Sequence, residues 1–329
     1  MKSRTTGGVV ILALLGMNVQ AAGLPEKIEL ADSSMVLIAA GEFVMGSDKV
    51  DTQKRDTEFG SIKPWYLDEH PRQVKQNKDF YIDQYEVTNG QYKSFVLATR
   101  RQPPSHWMED GYLVSMKRDK LAQLSVVKLR NVVVNTFQLD IDTRKMSKQA
   151  LLEALDKHFT REDKIPVHNV NWFDAADYCK WAGKHLPTEA QWEEAARGRV
   201  GNEFPWGNDW EPGRANTGDE EWQFGAAPGG SYDKDKSSFS VFDMAGNVSE
   251  WVSDWYDAYN QSDYQSEKYG RQYKVIRGAG WGGSGHYALE MYQRGAYRLY
   301  LSPDADHEDL GFRCAVEPSK SVLKSASIK

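Results

Sequence analysis

The second half of this chain constrains its fold more than any single element does, because it has almost no regular period. From Gly198 to the C-terminus the helical and strand spacings fade, and Gly, Trp, Asn and Asp crowd the sequence, as in FPWGNDW (204–210) and GAGWGG (278–283). A polar stretch of that length would be disordered, but this chain holds 11 Trp and 16 Tyr and is 40% hydrophobic. That composition is globular. It predicts long ordered loops pinned by aromatic side chains. A net charge of −6 gives no sign of a nucleic-acid-binding surface.

The first half carries the recognisable elements. Met35-Val36-Leu37-Ile38 and Gly41-Glu42-Phe43-Val44-Met45-Gly46-Ser47 are short apolar runs punctuated by glycine, and predict a hairpin. Residues 48–76, charged and proline-containing, predict loop. Phe80-Tyr81-Ile82 and Tyr85-Glu86-Val87 predict strand, and Thr88-Asn89 ahead of Tyr92, Phe95 and Val96 predicts a capped helix. Residues 109–163 predict a solvated helix–strand insertion: a strand over 126–134, then a helix with Leu151, Leu152, Leu155 and Phe159 on one face. Asp140-Ile141-Asp142 resembles the start of an EF-hand loop. The sixth position is Lys145 rather than Gly and the twelfth is Leu151 rather than Glu, which excludes that motif. Asn171 caps a further helix, with Phe173, Ala176, Cys179 and Trp181 near one face and Gly183 at its end. Thr188 caps the next, whose Glu189, Glu193 and Glu194 suit the positive end of a helix dipole. No linker or internal repeat divides the chain, so residues 22–329 read as one domain.

At the N-terminus Lys2 and Arg4 precede an uncharged apolar run over 9–15, and Val19-Gln20-Ala21 offers small residues for cleavage. This is the pattern of a secretory signal peptide, residues 1–21, and predicts a periplasmic protein. The run is short for a membrane span; the alternative is an uncleaved anchor. In an oxidising compartment Cys179 and Cys314 predict a disulfide. For so long a loop the chain-entropy model gives about 4–5 kcal/mol.

Seven segments then occur together: GEFVMGS (41–47), DQYEVTNGQYKSFV (83–96), PVHNVNWFDAADYCKWAGKHLPTEAQWEEAARG (166–198), FPWGND (204–209), VFDMAGNVSEWVSDWY (241–256), VIRGAGW (275–281) and DLGFRCAV (309–316). In order and spacing, over about residues 35–316, they resemble the formylglycine-generating-enzyme (sulfatase-modifying-factor) domain family. The resemblance implies an α+β fold related to C-type lectins, with little regular secondary structure. It also implies a bridge between Cys179 and Cys314, and it says nothing about the insertion at about 109–163.

Oxidising members of that family carry, after an RGGSW-like turn, two cysteines five residues apart that bind copper(I), a metal suited to soft thiolates. Here the turn is Arg277-Gly278-Ala279-Gly280-Trp281. Counting forward puts the first cysteine position at Gly283, and counting back from Cys314 puts the second at Glu290, so the two counts disagree. Residues 282–313 contain no Cys under either. His286 and Glu290, with Tyr287 and Tyr292 nearby, supply two metal ligands without a third. Ser249 beside Glu250 and Ser284 near His286 lack the remaining member of a triad. No catalytic residue is therefore assigned.

The resemblance further implies structural Ca²⁺. One site corresponds to the side chains of Asp243 and Glu250 with the carbonyls of Gly246 and Val248, hard oxygen donors from one tight loop. A second corresponds to Asn216, the carbonyl of Thr217, Glu221 and the carbonyl of Gln223. The bland alternative is acidic turns satisfied by water. Functionally, the missing thiols argue against formylglycine synthesis. The resemblance leaves two readings. One is a non-catalytic periplasmic member that binds a protein partner and regulates signalling, the class including regulators that act through the periplasmic part of a membrane-anchored Ser/Thr kinase in type VI secretion control. The other is a periplasmic siderophore-tailoring oxidase, also without the copper cysteines.

Overall fold

The structure is a computed structural model describing residues 23–59, 61–218, 225–282 and 289–328. The expected signal peptide lies outside the described residues, as do Glu221, Gln223, Gly283, Ser284, His286 and Tyr287.

The strands are β1 (Lys27–Glu29), β2 (Ser34–Ile38), β3 (Gly41–Met45), β4 (Gln73–Asn77), β5 (Phe80–Asp83), β6 (Ser249–Trp255), β7 (Lys274–Arg277), β8 (Arg298–Leu301), β9 (Leu310–Gly311), β10 (Ala315–Val316) and β11 (Ser327–Ile328). They form one sheet in the order β10-β5-β2-β1-β11, a β3-β4 ribbon, and a third sheet in the order β8-β7-β6-β9. In the first sheet Val36 lies opposite Ile82 and Ile38 opposite Phe80. These residues enter one apolar cluster, whereas Met35, Tyr81 and Ile28 enter another. Successive side chains point to opposite faces, and both faces are buried. That is why Phe80-Tyr81-Ile82 is an unbroken apolar run.

The predicted hairpin over 35–47 does not form. β2 pairs with β1 and β5, while β3 pairs with β4, inside the stretch predicted as loop. The two strands bury their side chains in different places: Phe43 and Met45 pack with Tyr259 and Ala190, away from the β2 cluster. The Arg199 guanidinium holds the turn between them, donating to the carbonyl of Ala39 at 2.5 Å. Residues 85–87 are not strand; Val87 instead exchanges backbone hydrogen bonds with Phe312 and Val167.

Helix α1 (Asn89–Thr99) has the capping box of Thr88 with Gln91, and buries Tyr92, Phe95 and Val96 as expected. The predicted strand over 126–134 is helical: α2 (Val126–Asn131) runs into a π-helical turn, Val132–Thr136. Its valines favour strand intrinsically. The Ser125 cap and the four-residue spacing of Leu129 and Val133, both fully buried against α3 (Lys148–Glu162), outweigh that preference. Residues 109–163 are thus a helical unit with an apolar core of its own, built on Leu121, Leu129, Val133, Leu151, Leu155 and Phe159. They are not the solvated helix–strand segment the pattern predicts.

In α4 (Trp172–Trp181), capped by Asn171, the buried face is Ala175, Tyr178 and Cys179. Phe173 and Trp181 are exposed, against the expected grouping. α5 (Glu189–Arg197) has a second capping box, Thr188 with Gln191. Between α5 and Lys320 the described residues contain no α-helix, as the fading periodicity predicts. Cys179 and Cys314 are disulfide-bonded inside an aromatic cluster that includes Tyr92, Phe95, Trp107, Tyr178 and Phe312.

Because the insertion has its own core, damage there should stay local. Leu155→Ala is expected to cost about 2–5 kcal/mol of that unit's stability. Amide exchange should accelerate over 126–162 while β2 and β5 stay protected; acceleration of both alike would show one cooperative core.

Candidate functional site

The turn that follows β7 is where the family's thiols would be found. Arg277 starts it, fully buried, and Gly280 passes so close to the Asp309 side chain that a Cβ would lie 2.5 Å from Oδ2. Beyond the turn Met291, Tyr292 and Tyr297 pack with Trp65 and Ala279. Glu290 is exposed. Ser249 is structural, its hydroxyl donating to the Asp309 carbonyl at 3.0 Å. Both cysteine sulfurs of the chain are committed to the Cys179–Cys314 bridge, and the sequence has no other cysteine.

The residues of the first calcium expectation, Asp243, Gly246, Val248 and Glu250, are all buried in the segment leading into β6. Glu250 is engaged on both oxygens. Arg313 donates to Oε1 from Nη2 at 2.7 Å and to Oε2 from Nε at 2.8 Å, and Trp192 Nε1 donates to Oε2 at 2.9 Å. Asp243, at a left-handed φ of 59°, accepts from the Gly230 N–H at 2.7 Å and faces Glu86. Asp235 accepts from the Ala245 N–H at 3.1 Å. Glu86 Oε2 and Asp235 Oδ1 are buried and meet no donor. Burial pushes Asp243 up to about 7, with Glu250 adding to the rise and Gly230 and Arg313 opposing it. Burial, reinforced by Asp243, holds Glu86 and Asp235 well above the usual carboxylate range. Neighbouring acceptors of this kind need a proton or a cation between them. Among the described residues no three His, Cys, Asp or Glu side chains form a ready metal-binding group. A hard cation would therefore draw the rest of its oxygen shell from backbone carbonyls and water.

Of the second calcium expectation, Asn216 is buried and tied inward. Its Nδ2 donates to the Gly225 carbonyl at 2.9 Å and to Asn247 Oδ1 at 3.2 Å, and its Oδ1 accepts from the Gly218 N–H at 3.3 Å. Thr217 is half-buried beside it. Glu221 and Gln223 lie outside the described residues.

Sequence reasoning missed a cleft of about 780 Å³ where the insertion meets the rest of the chain. His106 and His168 stack on its wall, ring centroids 3.7 Å apart. Burial, with His168 beside it, pushes His106 down to about 2; burial also lowers His168 to about 4, although Asn169 and Asp309 favour its charged form. Both imidazoles are neutral at physiological pH. Neither ring nitrogen of His106 has a hydrogen-bond partner, nor does the indole N–H of Trp281 on the same wall. The only sequence signal was SHWMED (105–110), a histidine and a tryptophan set against acids where no periodicity explains them.

With this geometry in hand, the comparisons with known proteins agree on a family. The family described as sulfatase-modifying factor enzyme 1-like domain matches residues 21–318. The mouse protein named formylglycine-generating enzyme is 30% identical over 305 residues, 88% of this chain and 76% of its own length. The bovine protein named inactive C-alpha-formylglycine-generating enzyme 2 is 28% identical, covering 86% of this chain and 87% of its own. In Chlamydia pneumoniae the serine/threonine-protein kinase pkn1 is 30% identical over 86% of this chain, which spans 38% of that protein. Among solved structures, PvdO from Pseudomonas aeruginosa has a TM-score of 0.57 at 23% identity over 90% of this chain and all of that one, which establishes the shared fold.

The raised carboxylate at Asp243 has a pH signature. Its folded pKa of about 7 lies above that of the unfolded chain, so the folded state binds a proton that the unfolded state releases from about pH 4 upward. Its contribution is full at the acidic end of that window and is lost as pH rises through about 7. In chelated buffer the melting temperature of Asp243→Asn should therefore fall less steeply between about pH 4 and 7 than that of the parent; parallel curves would contradict the assignment.

Proposed function

From the premise that the chain belongs to the sulfatase-modifying factor enzyme 1-like family, shown by the match over residues 21–318, we propose that it is a non-catalytic periplasmic member that binds a protein partner and regulates signalling. The observation that carries this reading is the fate of the sulfurs. The only two cysteines are locked in one buried disulfide, so no thiolate is left for copper(I) or for oxygen chemistry. The family match nonetheless extends over residues 21–318. A disulfide suits an oxidising compartment, which supports export. Support for a link to a kinase comes from the Chlamydia pneumoniae relative, named as a serine/threonine kinase, which matches this chain over part of its length. A membrane-anchored Ser/Thr kinase controlling type VI secretion is the proposed partner.

In this reading Ca²⁺ has a structural role. The residues that would hold it are Asp243 and Glu250 with the carbonyls of Gly246 and Val248, and at a second place Asn216, Thr217, Glu221 and Gln223. What favours the first is charge: Glu86, Asp235, Asp243 and Glu250 are buried around one cation, Arg313, whose guanidinium is bound to Glu250. When bound, the ion supplies the missing positive charge and stabilises only the folded state, by mass action.

Two measurements test this. Deleting the gene in its native host is expected to reduce kinase-dependent secretion and leave siderophore maturation intact; an accumulating immature siderophore with normal secretion would overturn the regulator in favour of the oxidase. EDTA is expected to lower the melting temperature at neutral pH and added Ca²⁺ to restore it. An unchanged melt, with no calcium in the purified protein, would remove the ion from the account.

A further inference from the structure

The cleft between the insertion and the rest of the chain is lined by Glu109, Asp110, Asp140, Glu162 and Glu308, against one cation, Arg161. The first four acids come from the insertion or its edge, the segment for which the family resemblance gives no expectation. Burial lifts the Glu162 carboxyl above its ordinary value, Arg161 opposing and Asp110 and Asp163 adding to the rise, and burial and Glu109 lift Asp110. Like charges held together in this way are relieved by an arriving cation. The walls are aromatic: Trp107, Tyr112, Phe137 and Trp281 line the same space, and aromatic faces attract a desolvated cation.

A second observation is independent of charge. His106 is 7% exposed, lines the cleft and has no partner on either ring nitrogen. A buried neutral imidazole carries one lone pair and one N–H, and leaving both unmade is costly. An incoming N–H donor would satisfy the lone pair. Next to the acids in sequence, Met108 is 74% and Ile141 39% exposed. Acids alternating with exposed apolar side chains suit a protein segment that is both basic and apolar.

We propose that this cleft is the docking site for the protein partner, and that it takes a lysine or arginine side chain of that partner between the acidic rim and the neutral His106. The proposal rests on the partner-binding reading above and names the chemistry by which the partner is recognised. The ammonium or guanidinium lies beside Trp281, held by Asp110 and Glu162. The shared chemistry, a cationic nitrogen on an aliphatic stem, is also present in free diamines, so the test separates the two sources.

The test uses the full mature chain, with NMR of the histidine rings and indole N–H groups as a site-specific readout. The probes are trilysine amide flanked by leucines, its glutamine counterpart, and 1,5-diaminopentane. The lysine peptide is expected to shift the His106 and Trp281 resonances, with affinity falling as salt rises. The glutamine peptide should not, and the diamine should bind at least about tenfold more weakly because it lacks the apolar flanks. The double variant Asp110→Asn, Glu162→Gln, checked by its melt for folding, should weaken the lysine peptide about tenfold or more. Equal binding of both peptides, or no loss in the double variant, would overturn the proposal. Stronger binding of the diamine than of the peptide would also overturn it, in favour of a small-amine site.

In the host, restoring the deletion with the double variant separates this idea from the reading beneath it. Full rescue of secretion sinks the cleft and leaves the regulator standing. Cation binding in vitro with no secretion defect in the deletion sinks the regulator and leaves the cleft.

Discussion

Buried arginines hold this molecule together. Arg277, Arg294, Arg298 and Arg313 are all fully buried. Arg277 bonds Glu189 and Glu193 at 2.9 and 2.7 Å and reaches the Gly295 carbonyl at 2.6 Å. Arg298 bonds both oxygens of Glu189 and also the carbonyls of Asp68 and Asp257. Arg313 adds the carbonyls of Asp83, Gln84 and Phe242 to its fork on Glu250. Buried loop carbonyls have no strand ladder to satisfy them, yet each needs a donor. A guanidinium offers five donors in a fixed plane, so one side chain does for a loop what several ladder bonds do for a strand. Removing one partner from such a pair leaves an uncompensated buried charge and costs about 3–5 kcal/mol. The loops held by Arg277 and Arg298 therefore depend on α5, whose first turns supply Glu189 and Glu193.

That dependence explains what could be read from the sequence and what could not. The caps at Thr88, Asn171 and Thr188 were legible because a cap is local: one side chain and the N–H three residues on. The bridge at Cys179 and Cys314 was legible because only two cysteines exist. Glu189, Glu193 and Glu194 read as helix-dipole partners, and the structure buries them, with Glu189 and Glu193 bonded to arginines 88 and 84 residues away. Local spacing carries no trace of such a pairing. The same holds for β3, which leaves its sequence neighbour β2 for β4, and for α2, where tertiary packing reverses the preference of its valines.

The insertion was hardest to read because it is fastened by tertiary contacts that local spacing does not show: Tyr112 enters the main aromatic cluster, and Leu113 and Met116 pack against it. A polar fastening is Asp163, whose Oδ1 accepts from Lys93 of α1; within the insertion Tyr112 also donates to Oδ1 and Arg118 to Oδ2 at 3.2 Å. Asn89, at the start of α1, accepts from the indole of Trp107 at 2.7 Å. Between these points two separately packed cores meet with imperfect fit, and the gap is the cleft. Both cores contribute to its lining, Trp107 and Tyr112 from one and Phe137 and Leu139 from the other, so no single period marks it.

Loss of the copper thiols leaves this scaffold intact for a reason visible in the bonding. The turn after β7 is fixed from behind, by Arg277 in the glutamate network and by the backbone N–H of Trp281 donating to the Asn247 carbonyl at 2.7 Å. Arg294 secures the far side through Glu69 and Glu203, at 2.8 and 2.7 Å. None of these bonds involves a sulfur atom. The disulfide lies in the aromatic cluster under α1 and α4 and supports a different part of the core. Chemistry at the turn and stability of the turn are therefore carried by separate residues. A chain of this family can hold the turn in place without a cysteine beside it.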